Sequence, residues 1–267
     1  MEKFSIHDEL SIFYKENGFL VLKDLFSQDE LTETLNDIYK LFETRFKDLD
    51  NKTLNRIELI NNYYNAEKEI WSQCEKHMWD LLSILRLASK IEVTNALKKI
   101  GLKSPMILTR PEVRTDMPDD RQYMQPWHQD WRYSKTSLNA ITIWIPLHDV
   151  RKENGTIDVI PKSHLFGLLK EKEIPNPRRF VISDERISGL PFETMELNHG
   201  DCVIFSQFIV HRSGNNTSGK PRITTQQRVT DYSESTYIER GMPIADSPEE
   251  LINGFPTAED VERVFKY

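Results

Sequence analysis

The chain has 267 residues, 38% of them hydrophobic and 29% charged, which is enough apolar material for one sizeable core beneath a polar surface. Its net charge of -7 and pI near 5.6 argue against nucleic acid or an anionic membrane as the main partner. The two cysteines, Cys74 and Cys202, stand far apart in no CxxC pattern, which argues against a disulfide framework or structural zinc and fits a reducing cytoplasm.

The opening MEKFSIHDEL is charged and lacks an apolar h-region, so no signal peptide is expected, and no apolar run is long enough to span a bilayer. Residues 1–104 read as mainly helical. A helix over 6–17 stops at Gly18, and GFLVLKDLF (18–26) reads as a short strand. Ser27 with Glu30 three residues on forms a capping box, followed by Leu31, Leu35, Ile38, Leu41 and Phe42 at helical spacing. A second helical pattern runs from about Glu67 to Ile100 and ends at Gly101 and Pro105. From 105 to 240 the texture changes to short runs rich in Ile, Val, Thr and Trp between turns, the spacing of a β-sandwich or barrel. Residues 171–190, with Pro175, Pro177 and Gly189, read as a loop insertion. Residues 241–267 read as a polar tail with one short helical pattern, SPEELING. The simplest organisation is a single domain over 1–267, a helical face packed on a β core.

The informative segment is PWHQDW (126–131). On a strand, alternate side chains share a face, so His128 and Asp130 point together and Gln129 points away. A 2-His-1-carboxylate set leaves open positions on iron(II) for a cosubstrate and O2. Of the seven histidines, His211 follows the apolar run CVIFSQFIV late in the β region, where a third strand-borne ligand should fall. Arg222 lies eleven positions further on, beyond the short connection SGNNTSGK, and is expected on a neighbouring strand. Its guanidinium fork suits the distal carboxylate of 2-oxoglutarate. A lone HxD is weak, and a lone histidine after an apolar run is more often a core residue than a ligand. The ordered combination on β runs is much more specific.

These residues resemble the phytanoyl-CoA dioxygenase family of Fe(II)/2-oxoglutarate oxygenases, from roughly Leu10 to Asp231. FYKENGFLVLKDLFSQDEL is similar to the family's first helix, strand and helix. HQD (128–130) resembles its iron motif. WIPLHDVRKENGTIDVIPKSH (144–164) and GDCVIFSQFIVHRSGNNTSGKPRITTQQRV (200–229) resemble its later strands. The resemblance implies a double-stranded β-helix (jelly-roll, cupin-like) core flanked by N-terminal helices, mainly β with helical additions. It implies Fe(II) on His128, Asp130 and His211, and 2-oxoglutarate on Arg222, with Ser213 and Trp144 as weaker carry-overs. Lys162 departs from the family's usual glycine. Asp130 stands where related halogenases carry a small residue, which disfavours halogenation.

Alternation places further neighbours. If Trp144 faces the pocket so does Thr142, while Ile141, Ile143, Ile145 and Leu147 face the helices. If Arg222 points inward so do Thr224, Gln226 and Arg228. Thr224 is then a candidate 2-oxoglutarate contact, and Arg228 a candidate substrate contact or a barrel-end salt bridge. Arg114, Trp131 and Tyr133 are further candidate substrate residues, with strand-edge charges as the bland alternative. His164 reads as a structural hydrogen-bonding residue. The expected activity is hydroxylation of a C–H bond in a small polar metabolite, with desaturation, cyclisation or epimerisation open on the same parts. A non-catalytic jelly-roll binding protein and a zinc- or manganese-dependent cupin enzyme are the readings from other classes.

Overall fold

A computed structural model describes residues 6–46, 56–121, 124–175, 178–244 and 255–265. In chain order the elements are α1 (Ile6–Asn17), β1 (Phe19–Leu22), α2 (Gln28–Arg45), α3 (Arg56–Ala66), α4 (Lys68–Met78), α5 (Leu82–Ala88), α6 (Ile91–Lys99), β2 (Pro105–Ile107), β3 (Glu112–Asp116), α7 (Trp131–Ser134), β4 (Ile141–Pro146), β5 (Ile157–Ile160), β6 (Glu171–Pro175), β7 (Arg178–Ile182), β8 (Glu193–Thr194), β9 (Cys202–Ser206), β10 (Val210–Ser213), β11 (Arg222–Asp231), α8 (Ser235–Glu239) and α9 (Ala258–Phe265). Among the described residues no helix is long and apolar enough to cross a membrane.

Two antiparallel sheets form the jelly roll. The larger runs β1-β9-β4-β11-β2, with β3 also paired to β11; the smaller runs β10-β5-β8. His128 pairs antiparallel with His211, so the 127–128 segment extends the smaller sheet beside β10. Strand β4 is buried on both faces, which is why ITIWIP is apolar almost throughout. Ile141, Ile143, Ile145 and Leu147 join the core beneath the helices, together with Leu31, Ile38, Phe42, Trp71 and Met78. Trp144 faces the other way, packing with Ile157, Val159, Val203 and Phe205 between the sheets. The alternation expected from the sequence therefore holds along β4.

Helix α2 opens with the capping box: Glu30 N donates to Ser27 Oγ at 3.2 Å and Ser27 N donates to Glu30 Oε2 at 2.8 Å. Several expectations need correction. The helical pattern over 67–100 is three helices, α4 to α6. Its buried positions Trp71, Cys74 and Met78 step by three and four, but the next, Ile84 after Ser83, lies out of that phase. The 171–190 insertion contains an antiparallel hairpin, β6–β7, rather than a loop alone. The C-terminal tail carries helix α9, whose Phe265 ring packs on Tyr14 and His164. SPEELING lies outside the described residues. Finally, β10 and β11 are not neighbours: they belong to opposite sheets, so His211 and Arg222 meet across the sandwich rather than along one sheet.

Candidate active site

The site begins with a strand pair. His128 N donates to His211 O at 3.0 Å and His211 N donates to His128 O at 3.1 Å, which sets the two histidines opposite each other. Their rings stand 4.1 Å apart between centroids. The chain leaves the strand after His128, and Asp130 takes helical angles (φ -70, ψ -27) at the start of α7. That turn, rather than strand alternation, carries the carboxylate round to the histidines. One ligating atom from each of His128, Asp130 and His211 lies within 4.8 Å of the others, and all three residues are buried. Gln129 does point away: its side chain donates to Gly167 O and Phe208 O and accepts from Leu169 N.

The donor set suits a divalent metal. His128 Nδ1 lies 2.8 Å from Pro126 O and His211 Nδ1 lies 3.1 Å from Ile209 O. In a neutral imidazole each Nδ1 then carries the hydrogen and donates it, leaving the Nε2 lone pair for a metal. Burial pushes His128 down to about 3, helped by the neighbouring His211, and burial also lowers His211, so both rings are neutral near pH 7. Burial alone would raise Asp130, but the Arg228 charge, joined by the histidines only where they are protonated and by the Thr142 hydrogen bond, outweighs it and holds the carboxylate below its usual range. Its Oδ2 accepts from Thr142 Oγ1 at 2.6 Å, and its Oδ1 accepts from Arg228 Nη2 at 3.2 Å. Oδ1 also lies 3.7 Å from His128 Nε2, so it is the carboxylate oxygen turned toward that ring.

The triad opens into a cavity of about 210 Å³, whose lining includes Trp144, Ile157, Phe205, Ser213 and Arg222. Arg222 is fully buried. It donates through Nη2 to Asp116 Oδ2 at 2.6 Å and through Nη1 to Gly155 O, and its guanidinium stands 5.8 Å from the Trp144 ring centroid. Its Nε is buried without a hydrogen-bond partner, a donor left for a ligand. Thus Trp144, Ser213 and Arg222 share one cavity with the triad. Thr224 is buried on the same strand as Arg222 but does not line the cavity.

The opposite wall is ionic. Arg228 donates to Glu112 Oε1 at 2.8 Å as well as to Asp130, and Gln226 donates to Glu112 Oε2 at 2.5 Å. Arg114 and Tyr133 also line the cavity, and Tyr133 Oη accepts from Phe180 N at 3.1 Å. Trp131 does not. It is 0% exposed, stacks on Phe208 and donates Nε1 to Ser137 O, because the α7 turn drives it into the core. The expectation of a substrate contact at Trp131 is therefore corrected. Sequence reasoning missed Asp116, Gln125, Ile157 and Phe205. The parity of β3 could have flagged Asp116 beside Glu112 and Arg114; nothing local singles out the others. His164 lies outside the site, with its Nε2 3.0 Å from Lys15 O.

The sequence model of the phytanoyl-CoA dioxygenase (PhyH) family matches residues 14–224. The chain belongs to the phytanoyl-CoA dioxygenase family. Peroxisomal phytanoyl-CoA dioxygenase of Bos taurus is 23% identical over 217 residues, covering 77% of this chain and 63% of the relative, so the chain spans somewhat under two thirds of that protein. L-proline trans-4-hydroxylase of Streptomyces griseoviridis is 33% identical over 132 residues, covering 40% of this chain and 49% of the relative. The crystal structure of the epimerase SnoN with Fe3+, alpha ketoglutarate and nogalamycin RO superposes with TM-score 0.60 at 19% identity, covering 84% of this chain and 83% of that one, a likeness of fold. Within this phytanoyl-CoA dioxygenase family chain, Lys162, where the resemblance implies a glycine, holds a left-handed conformation (φ 67) that a glycine would adopt without strain.

Proposed function

We propose that this chain is an iron(II)- and 2-oxoglutarate-dependent dioxygenase that hydroxylates a C–H bond of a small polar metabolite or biosynthetic intermediate. The observation that carries the reading is the shared cavity: three ligating atoms within 4.8 Å in one wall, and a buried arginine with a spare donor in another. His128 and His211 bind the metal through Nε2 and Asp130 through its carboxylate. Arg222 takes the distal carboxylate of 2-oxoglutarate, with the Ser213 hydroxyl beside it. Trp144, Ile157 and Phe205 are the apolar wall against which the carbon chain lies.

Iron(II) and 2-oxoglutarate, when bound, supply oxygen activation coupled to oxidative decarboxylation of the oxo acid. The protein's share is positioning and shielding. The sandwich walls exclude bulk water from the metal face, and the paired His128 and His211 fix two ligands through backbone hydrogen bonds. Neither imidazole carries a proton that metal binding must displace. A 210 Å³ cavity is below the roughly 300–1,000 Å³ of drug-sized sites. Once metal and diacid are inside, it holds a small substrate or one end of a larger one. Glu112 and Arg114, whose side chains retain 29% and 21% exposure, stand at the mouth where that substrate enters. Tyr133 and Arg228 are its polar neighbours, which favours a polar molecule over a hydrocarbon chain.

The test is oxygen-dependent conversion of 2-oxoglutarate to succinate by protein loaded with Fe(II), across a panel of small amino acids, hydroxy acids and polyols. Stimulation by one class is expected, with a loss of about 100-fold or more in the His211→Ala and Asp130→Ala proteins. No succinate with any compound, or turnover persisting without oxygen, would overturn the reading.

A further inference from the structure

We propose that Arg114 is a positioning residue for the cosubstrate: through Asp116 it sets how much of the Arg222 charge is available to a dicarboxylate in the cavity. The proposal rests on the reading of Arg222 given above.

Arg222 lies directly opposite Asp116, and Thr224 directly opposite Arg114, in the β11–β3 pair. Arg114 and Asp116 are two apart on β3 and share a face. Asp116 Oδ2 accepts from Arg222 Nη2 at 2.6 Å, and Asp116 Oδ1 accepts from Arg114 Nη2 at 2.9 Å. One carboxylate therefore sits between two guanidiniums, with one of its oxygens on each. The backbone of Asp116 is held in place, because its carbonyl accepts from Asn216 Nδ2 at 2.8 Å and its strand is laddered to β11.

Charge counting then assigns the role. The side chains of Arg222 and Asp116 keep 2% and 12% exposure, so their interaction is weakly screened. A cosubstrate carboxylate arriving at the unpartnered Arg222 Nε would put two negative charges on one buried guanidinium. Such a surplus charge is costly in a low-dielectric site unless it is shared. Arg114 is the second cation, and it completes an alternating row: Arg114, Asp116, Arg222, ligand carboxylate. Removing Arg114 would leave Asp116 to draw on Arg222 alone.

The other groups facing this row do not supply the missing charge. Glu112 is held by Arg228 and Gln226. His148 lies near Arg222, and burial lowers it below the usual histidine range, which disfavours a further positive charge there. Glu75, on the helix packed against β3, is pushed up to about 7 by burial, so below neutral pH it is protonated and drops out of the count. The competing role for Arg114 is direct contact with the primary substrate, which would leave 2-oxoglutarate binding untouched when substrate is absent.

The experiment is calorimetric titration of 2-oxoglutarate into Mn(II)-loaded protein, without oxygen or substrate, at about pH 6. Arg114→Gln is expected to weaken 2-oxoglutarate by about tenfold or more, and Arg114→Lys to stay within about threefold of the wild type. The double variant Arg114→Gln/Asp116→Asn is expected to recover to within about threefold, because the competing carboxylate is gone. An Arg114→Gln protein with unchanged affinity, or a double variant no better than the single one, overturns the proposal. Asp116→Asn alone keeps the question open to refutation should Arg114→Gln not fold: it is expected to bind at least as tightly as the wild type, and a loss of about tenfold would overturn the proposal. An Arg222→Met arm separates the two readings. If it binds like the wild type, the assignment of Arg222 fails. If it loses binding while Arg114→Gln does not, only the role of Arg114 fails.

Discussion

Thr142 stands behind the Asp130 carboxylate, and among the described residues its hydroxyl is the only group donating to Asp130 Oδ2. Such partners orient a ligand before the metal arrives. Thr142→Val keeps the shape and removes the bond, and Co(II) affinity should fall by about 10- to 100-fold with little change in the fold. Unchanged affinity would mean that Asp130 is oriented by Arg228 alone. A second residue-scale prediction concerns His164, which is fully buried and pushed down to about 4 by burial. In the unfolded chain it titrates near 6.5, so below that pH the unfolded state binds a proton that the folded state lacks. Its contribution to stability is present above about 6.5 and is lost as pH falls through about 4; His128 and His211 shift in the same direction. Urea unfolding from neutral to acid pH should show the wild type losing stability faster than His164→Gln, and equal slopes would refute the assignment. That His128, Asp130, His211 and Arg222 would meet in one cavity was legible because few residue types suit such chemistry and their order along the chain is constrained. Trp131 was misread because a four-residue helix, α7, has no periodic signal of its own and reverses the direction that the preceding strand implied.

At the scale of elements, the close seam between α1 and the β core depends on Gly18. Its φ is +80, and a Cβ there would lie 2.4 Å from His164 Nδ1. Gly18→Ala should cost about 2–3 kcal/mol in chemical unfolding, combining left-handed strain with the clash against a buried ring. Gly189→Ala is the control: it has a similar φ of +72 with nothing within 4 Å, and about 1 kcal/mol is expected. Equal costs at the two sites would remove the role given to His164 packing. The Ser27 capping box and the β4 alternation were readable because both are short-range patterns. The breaks between α4, α5 and α6 lack glycine and proline, so a window average reads through them; only the shift in apolar phase after Met78 marks the first. The β6–β7 hairpin was hidden by its prolines, although Phe180, Val181 and Ile182 carry a strand's composition.

At the scale of the whole molecule, an acidic chain encloses a cavity with three arginines, Arg114, Arg222 and Arg228, each paired to a carboxylate. Helices α2 to α6 cover the outer face of the larger sheet, which frees its inner face to hold these charges opposite the histidines of the smaller sheet. A β-sandwich or barrel was legible from strand spacing, and the jelly roll from the family resemblance. The facing of β10 and β11 was not, because a short connection can join neighbours in one sheet or partners across two, and sequence distance does not distinguish them. On the proposed reading this facing builds one iron and 2-oxoglutarate site, and anaerobic addition of Fe(II) and then 2-oxoglutarate, followed by visible absorption, is its test. A charge-transfer band that needs both components is predicted, lost in His211→Ala and weakened in Arg222→Met at the same 2-oxoglutarate concentration. A wild-type protein that shows no band at saturating Fe(II) and 2-oxoglutarate, or a His211→Ala protein that shows it undiminished, would contradict the account.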